Sequence, residues 1–400
     1  MPVSVPLTLL LDAELYDPAP RGRRHLLVAG EQVLWIGTDV PALRAGGDPP
    51  VAVEEVPLDG RRVIPGFVDC HVHFTGGGGE GGNHTRVPPV ALSRFTTGGT
   101  TTVVGLLGTD DAVRTTAELV VTARGLTAEG LTAYCYTGGY HLPPATATGS
   151  IRRDLLLIDL VVGVGELAIS DHRSSQPTLD ELLRVASEVH VGGVMTGKAG
   201  ILHLHVGDGP RGLAPVRAAL DASELPPAVF HPTHVNRRRA LFAEALALAE
   251  RGCVIDITAF PVAEDEDAFS AADALVRYLE AGLPPARVTV SSDAGGTLPV
   301  FDVDGRVTEL DVGRPAALAD TLRTLLTMGQ PLERILPAFT SNVAQLLLLP
   351  RKGRLMPGAD ADLVVLDEAG AVSDVMARGR WHVRQGRSVV RGTFERIERW

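Results

Sequence analysis

The sequence predicts an α/β protein: a (β/α)8, TIM-like barrel plus a small β-sandwich domain built from both termini. Three observations predict it. Eight apolar, β-branched runs alternate with helical patterns through the middle of the chain, and eight βα units close a parallel barrel. Both ends of the chain read instead as short strands and turns. Ionisable residues collect at the C-terminal ends of the middle strands, which converge on one mouth in a barrel. A doubly wound open sheet is the competing architecture, since the same alternation with one strand more or fewer would fit it.

In chain order, "LTLLLDAELYD", "RHLLVAGEQVLWIGTD" and "VAVEEVPLDGRRVIP" are the N-terminal strand candidates. The tail from Gly353, "GRLMPGADADLVVLD" followed by "WHVRQGRSVVRGTF", has the same texture. Residues 1–62 and 350–400 are therefore expected to form the small β domain, and 63–349 the barrel. The barrel strands are read as "VIPGFVDCHVHF", "TTVVGLLGTD", "TAYCYTGGYH", "VVGVGELAIS", "ILHLHVGDG", "AVFHPTHVN", "GCVIDITAF" and "VTVSSDAGG". Patterns such as "TLDELLRVASEV" and "RRRALFAEALALAERG" supply helices between them.

Composition narrows the class. Of 400 residues, 45% are hydrophobic and 21% charged, which suits a chain that buries a large core. A net charge of −11 argues against a nucleic-acid partner, because a polyanion needs a basic surface; Arg237-Arg238-Arg239 is too short to supply one. The cysteines, Cys70, Cys135 and Cys253, are scattered and form no disulfide framework, so a reducing cytoplasmic location is expected. The N-terminus lacks a basic n-region and reads as no signal peptide. The apolar stretch from Leu155 to Ile169 is broken by Asp159 and Glu166, so no membrane span is expected. The lysines are Lys198 and Lys352, leaving few for chemistry.

His71 and His73 end the first barrel strand, and period-two alternation turns both imidazoles to one face. Alone, a His-x-His pair is weak evidence for a metal. Here it joins Thr109, Tyr140, Glu166, His205, His234 and Asp293, each near the end of a different strand. Imidazoles and carboxylates gathered this way suit Zn²⁺ and similar divalent ions, and packing alone gives no reason for such crowding.

The segments "VIPGFVDCHVHFTGGGGEGG", "VVGLLGTD", "TGGYHLP", "AISDHRS", "PTHVNR" and "SSDAGG" resemble the motifs of the isoaspartyl dipeptidase (β-aspartyl peptidase) family of the amidohydrolase superfamily. The resemblance runs over almost the whole chain, including the "PGADADLVVLD" tail. It implies two divalent ions, zinc in the first instance: His71, His73 and Asp293 on one, His205 and His234 on the other, with a hydroxide between them. The family also bridges its ions with a carboxylated lysine, and at that position this chain has Glu166, with one extra residue just upstream.

A lysine carbamate and a glutamate both end in a singly charged carboxylate, but the glutamate stem is three bonds, roughly 3–4 Å, shorter. A bulge at the inserted residue would help make up the difference. Three roles stay open: a bridge between two ions, a ligand in a mononuclear site, or a solvated carboxylate with none. The first is favoured, because an acid at a barrel mouth is costly without a cationic partner.

The resemblance further implies that a metal-bridging hydroxide attacks a β-aspartyl amide, with Asp293 as general base and then acid. Tyr140 would hydrogen-bond the developing oxyanion. A β-aspartyl dipeptide carries one ammonium and two carboxylates, so Glu80 is the candidate for the former and Arg173 and Arg237 for the latter. Thr109 and Thr297 are minor contacts. His203, His231 and His172 are left as candidates to orient ligands, and His25, His84, His141, His190 and His382 as structural or surface groups. The expected partner is a small dipeptide, with the chain a homo-oligomer. The competing readings are a related amidohydrolase acting on a cyclic amide or an N-acyl amino acid, and a non-catalytic oligomeric scaffold. Retention of four histidines and Asp293 argues against the last.

Overall fold

The structure, a computed structural model, describes residues 7–41, 52–302 and 304–395. Parts of the expected small domain, residues 1–6, 42–51 and 396–400, lie outside the described residues.

Apolar alternation near the N-terminus produces β1 (Leu7–Asp17), β2 (Ala19–Ala29), β3 (Gln32–Gly37), β4 (Val53–Pro57) and β5 (Arg62–Pro65). The middle supplies β6 (Phe67–Val72), β7 (Thr100–Gly105), β8 (Thr132–Thr137), β9 (Val161–Ile169), β10 (Ile201–Val206), β11 (Phe230–Thr233), β12 (Ile255–Thr258) and β13 (Val288–Ser291). A hairpin, β14 (Thr297–Phe301) and β15 (Val307–Val312), follows. The tail adds β16 (Leu363–Leu366), β17 (Val372–Ala377), β18 (Arg380–Arg384) and β19 (Arg387–Ser388).

Strands from both ends of the chain share one nine-stranded sheet, ordered β19-β18-β17-β16-β5-β1-β2-β3 with β4 beside β1. Its own apolar cluster includes Leu10, Leu26, Val33, Val63, Leu363 and Met376. Lys352 ties this sheet to the barrel: its buried ammonium donates to Thr132 Oγ1 (2.6 Å), Asp362 Oδ2 (2.6 Å) and Asp360 Oδ2 (2.9 Å). Lys198 is also engaged, donating to the Leu155 and Ile158 carbonyls. Both lysines therefore lie away from the mouth.

The barrel is a ring in two pieces. Strands β6 to β11 form a parallel six-stranded sheet in sequence order, and β12 pairs in parallel with β13. At the β11/β12 joint an amide side chain stands in for a ladder: Asn236 donates to Thr258 O (3.0 Å) and accepts from Thr258 N (2.9 Å). At the β13/β6 joint, His73 N donates to Ala294 O (2.7 Å) and Ser292 N to Asp69 Oδ1 (3.2 Å). The barrel strands are near-continuously buried, as expected of a parallel sheet covered by helices. Each fully buried Val, Leu or Phe contributes about 1.5–3 kcal/mol relative to exposure.

Local sequence explains the covering helices. The helix Leu179–Thr196 starts on a reciprocal Thr178–Glu181 capping box and stops at left-handed Gly197. No helix among the described residues is long and apolar enough to cross a membrane.

Candidate active site

Ligand-type residues arrive at the mouth from five strands. His71 lies within β6 and His73 directly after it; Glu166 lies within β9 and His205 within β10. His234 directly follows β11, and Asp293 stands two residues beyond β13. Both of these take a left-handed backbone (φ 60° and 52°), which a residue with a Cβ adopts only where its surroundings impose it. Gly296 gives room to Asp293 and His73: a Cβ there would sit 2.2 Å from Asp293 Oδ1 and 2.7 Å from His73 Cδ2.

The strand carrying Glu166 is bulged. Leu202 pairs with Val164 and Leu204 with Leu167, so Gly165 and Glu166 together oppose the single residue His203. A Cβ on residue 165 would lie 2.8 Å from His203 Cβ, so the close approach requires glycine. The Gly165–Glu166 peptide is cis. The bulged strand holds the glutamate carboxylate among four imidazoles. Glu166 Oε2 lies 3.1 Å from His205 Nδ1, 3.5 Å from His234 Nε2 and 3.6 Å from His71 Nε2, while Oε1 lies 3.5 Å from His73 Nε2. Asp293 Oδ1 closes the far side, 3.4 Å from His71 Nε2 and 3.2 Å from His73 Nε2.

The electrostatics follow from this enclosure. Burial would raise the Glu166 carboxyl, but His71, His205 and His234 outweigh it and hold it well below the usual carboxylate range. Asp293 is lowered for the same reason, burial being overcome by His71 and His73. For His71 burial works against the proton and the Glu166 and Asp293 carboxylates in favour of it, with the carboxylates prevailing.

These residues fit a divalent metal. His71 Nε2 and Asp293 Oδ1 are fully buried polar atoms without a hydrogen-bond partner, a costly state that a cation would relieve. His71, His73 and Asp293 offer ligand atoms within 4.8 Å of one another, and so do His71, Glu166 and His234. His205 stands outside both triads. It points Nδ1 at Glu166 and ties Nε2 to Asp171 Oδ2 (3.0 Å), the arrangement in which a carboxylate orients a ligating imidazole.

Except for fully buried His71, every predicted site residue lines one narrow cavity: His73, Glu166, His205, His234 and Asp293 at its floor, with Glu80, Thr109, Tyr140, Arg173, Arg237 and Thr297 around it. Glu80 accepts from Thr109 Oγ1 (2.9 Å), Thr297 Oγ1 (3.0 Å) and Arg173 NH1 (3.3 Å). Arg173 also donates to Asp171 through Nε (3.0 Å) and NH2 (2.8 Å), and its guanidinium stands over the Tyr140 and Phe301 rings at 5.4 and 5.1 Å. Arg237 donates to Val206 O (3.1 Å) beside His205. Burial pushes the Tyr140 phenol well above its ordinary range, so it keeps its proton and can donate it in a hydrogen bond. Beyond Arg237 and Pro299 the cavity widens into an outer one of about 780 Å³, lined by Phe260, which follows β12, and by Leu298 and Phe301 of β14.

Sequence reading missed Asp171. Its carboxylate joins His205 to Arg173, and burial, which raises it, is overcome by those two partners, which hold it far down. The signal lies in the quoted "SDHRS" itself, where the sequence reading picks out His172 and Arg173 and passes over Asp171. His172, by contrast, orients no ligand: it is half exposed and packs edge-on against Phe301 at 4.7 Å. His141 braces the site from outside, holding Asp111 (2.9 Å) and the Arg173 carbonyl (3.0 Å).

Comparison with known proteins gives a consistent picture. The amidohydrolase family model matches residues 62–382. Two solved structures of a β-aspartyl dipeptidase from Fervidobacterium islandicum AW-1 are 40% identical to the chain, covering 96% of it and 98% of theirs. Their TM-scores are 0.88, for the complex with a β-Asp-Leu dipeptide, and 0.86. An imidazolonepropionase from Ruegeria sp. (strain TM1040) is 24% identical over 86% of each chain.

Proposed function

Because this chain belongs to the amidohydrolase family, a hydrolase reading is the premise, and we propose that it is a binuclear metal-dependent β-aspartyl dipeptidase. One observation carries the substrate: outside the ligand set, the charged residues lining the cavity are one carboxylate, Glu80, and two arginines, Arg173 and Arg237. That is the charge complement of a β-aspartyl dipeptide, with its ammonium and two carboxylates. The likeness to the Fervidobacterium enzyme supports the same assignment.

His71, His73 and Asp293 would hold one divalent ion, and His205 and His234 another, with Glu166 between them. Such ions, zinc in the first instance, polarise an amide carbonyl and make water nucleophilic near neutral pH. The chain's own groups do the rest. The Asp293 carboxylate takes the proton released by the attacking water and returns it to the leaving amine. Tyr140 donates its retained proton as a hydrogen bond to the oxygen that gains charge. Asp171 and Glu80 hold Arg173 in one orientation, so its guanidinium meets the substrate carboxylate without first being ordered. The outer cavity gives the second residue of the dipeptide space against Phe260 and Phe301.

Release of leucine from β-Asp-Leu, compared with turnover of N-acetyl-leucine and dihydroorotate, tests the proposal. Hydrolysis of the first alone is expected. Absence of leucine release, with turnover of either alternative, would replace it with an N-acyl amino-acid or cyclic-amide hydrolase.

A further inference from the structure

Beneath the ligand set runs a buried chain of hydrogen bonds that the proposed chemistry does not use. His71 Nδ1 lies 2.8 Å from His203 Nε2, and His203 Nδ1 lies 2.9 Å from His231 Nδ1. His231 Nε2 lies 3.1 Å from Thr289 Oγ1, which in turn lies 2.5 Å from Asp256 Oδ1. All five side chains are fully buried, away from bulk solvent.

The direction of every bond follows from the Asp256 end. Asp256 receives donors on both oxygens: Thr289 and Cys70 Sγ (3.5 Å) on Oδ1, Thr233 (2.7 Å) and Ser291 (2.6 Å) on Oδ2. A carboxylate so surrounded accepts only. The single Thr289 proton is therefore directed toward Asp256; the other acceptor in reach, Ile255 O at 3.5 Å, also only receives. Thr289 must then accept from His231, which places the His231 hydrogen on Nε2. A neutral imidazole has one N–H, so His231 Nδ1 is bare and accepts from His203 Nδ1. By the same step His203 Nε2 is bare and accepts from His71 Nδ1. Both rings are fully buried and neither has a carboxylate among its hydrogen-bond partners, so each carries a single hydrogen.

We propose that His203, His231 and Thr289 are positioning residues that pin a proton on Nδ1 of His71, so that only Nε2, the atom facing Glu166 and Asp293, is free to lose its proton and bind a cation. The fixed charge of Asp256 thus sets the ligating atom of His71 through three intervening side chains, with no bond made or broken. The consequence for a metal rests on the site reading above; the hydrogen-bond directions do not.

Long-range ¹H–¹⁵N spectra of ¹⁵N-histidine-labelled protein read which nitrogen of each ring carries hydrogen, and would be recorded on metal-stripped and zinc-loaded samples. His71 and His203 should carry hydrogen at Nδ1 and His231 at Nε2 in both. A bare Nδ1 on His71, or a hydrogen on His231 Nδ1, in the stripped protein would overturn the proposal. A second readout uses Thr289, which touches no ligand of the ion. Thr289→Val keeps the shape and removes the acceptor, and should weaken zinc binding about 10–100-fold; Thr289→Ser should retain it. Equal zinc affinity in the two variants would also overturn the relay. Should Thr289→Val fail to fold, the spectra of the unaltered protein still decide. Neither readout involves substrate, so an enzyme inactive on β-Asp-Leu would refute the dipeptidase reading and leave the relay standing or falling by itself.

Discussion

Replacing Asp171 with asparagine is expected to damage metal binding and substrate binding together, because its two oxygens serve both. Oδ1 accepts from Arg173 Nε (3.0 Å) and from the Arg173 backbone N–H (2.7 Å). Oδ2 accepts from Arg173 NH2 (2.8 Å) and His205 Nε2 (3.0 Å). An asparagine keeps one oxygen; seated to serve the Oδ1 partners, its amide nitrogen faces two donors and both of those bonds are lost. Hydrogen bonds to charged groups contribute about 1.5–3 kcal/mol each, so roughly 3–6 kcal/mol of positioning is at stake. At about 1.4 kcal/mol per decade, the ceiling is a loss of roughly 10²–10⁴ in rate. His205 recovers part of it by shifting its hydrogen to Nδ1 and accepting from the new amide, but the ring then shows Glu166 an N–H in place of a lone pair. The expected loss in kcat/KM for β-Asp-Leu is therefore about 100-fold, at the upper end for partners that orient a ligand. Steady-state kinetics with metal analysis of the purified variant measure both halves. An Asp171→Asn enzyme with unchanged kcat/KM and a full metal complement would refute the reasoning.

Further outcomes follow from other parts of the structure. Glu166→Ala should cut bound metal from two ions per chain to one or none, by elemental analysis, since it removes the carboxylate on which four imidazoles converge. Because the carboxylate among the imidazoles is a glutamate and both lysines are engaged away from the mouth, the unaltered protein should reach full activity with metal in CO₂-free buffer; a bicarbonate requirement would contradict this. Tyr140→Phe should lower kcat by about 10²–10³ and leave KM nearly unchanged, because its hydrogen bond strengthens only as charge develops. Lys352→Met should destabilise the chain by about 3–5 kcal/mol in denaturant melts, leaving Asp362 buried without its cation and Asp360 with only the exposed Arg351. Burial opposes the Lys352 charge, but Asp362 and Asp360 outweigh it and raise its affinity for the proton above that of an ordinary lysine. Its contribution should accordingly be complete below the usual lysine range and vanish only as pH rises beyond the folded-state value.

Much of the barrel could be read from the chain because parallel strands covered on both sides leave long β-branched runs, and all eight candidates correspond to β6–β13. The His71–His73 pair was legible for a local reason, period-two alternation at a strand end. Glu166 required more: its carboxylate reaches the histidines because a bulge opposite His203 displaces it, and a bulge is a property of two strands together. Asp171 stayed hidden because, although Arg173 lies two residues on, its other partner, His205, is brought to it from β10. His203 and His231 were noticed as companions of the ligands. Their link through Thr289 to Asp256 was invisible, since it joins four strands on the inside of the ring.

The two-piece construction of the ring gives the ligand set a mechanical meaning. The six-stranded piece meets the β12–β13 pair at two joints, and neither joint has the regular ladder found elsewhere. His71 and His73 stand on one side of the β13/β6 joint and Asp293 on the other, while His234 leads directly into the Asn236 amide at the β11/β12 joint. Cations shared among these residues would act as rivets across the gaps as well as reaction centres. A descendant of this chain that gave up hydrolysis could not shed its ligands freely, because loosening them would unfasten the barrel.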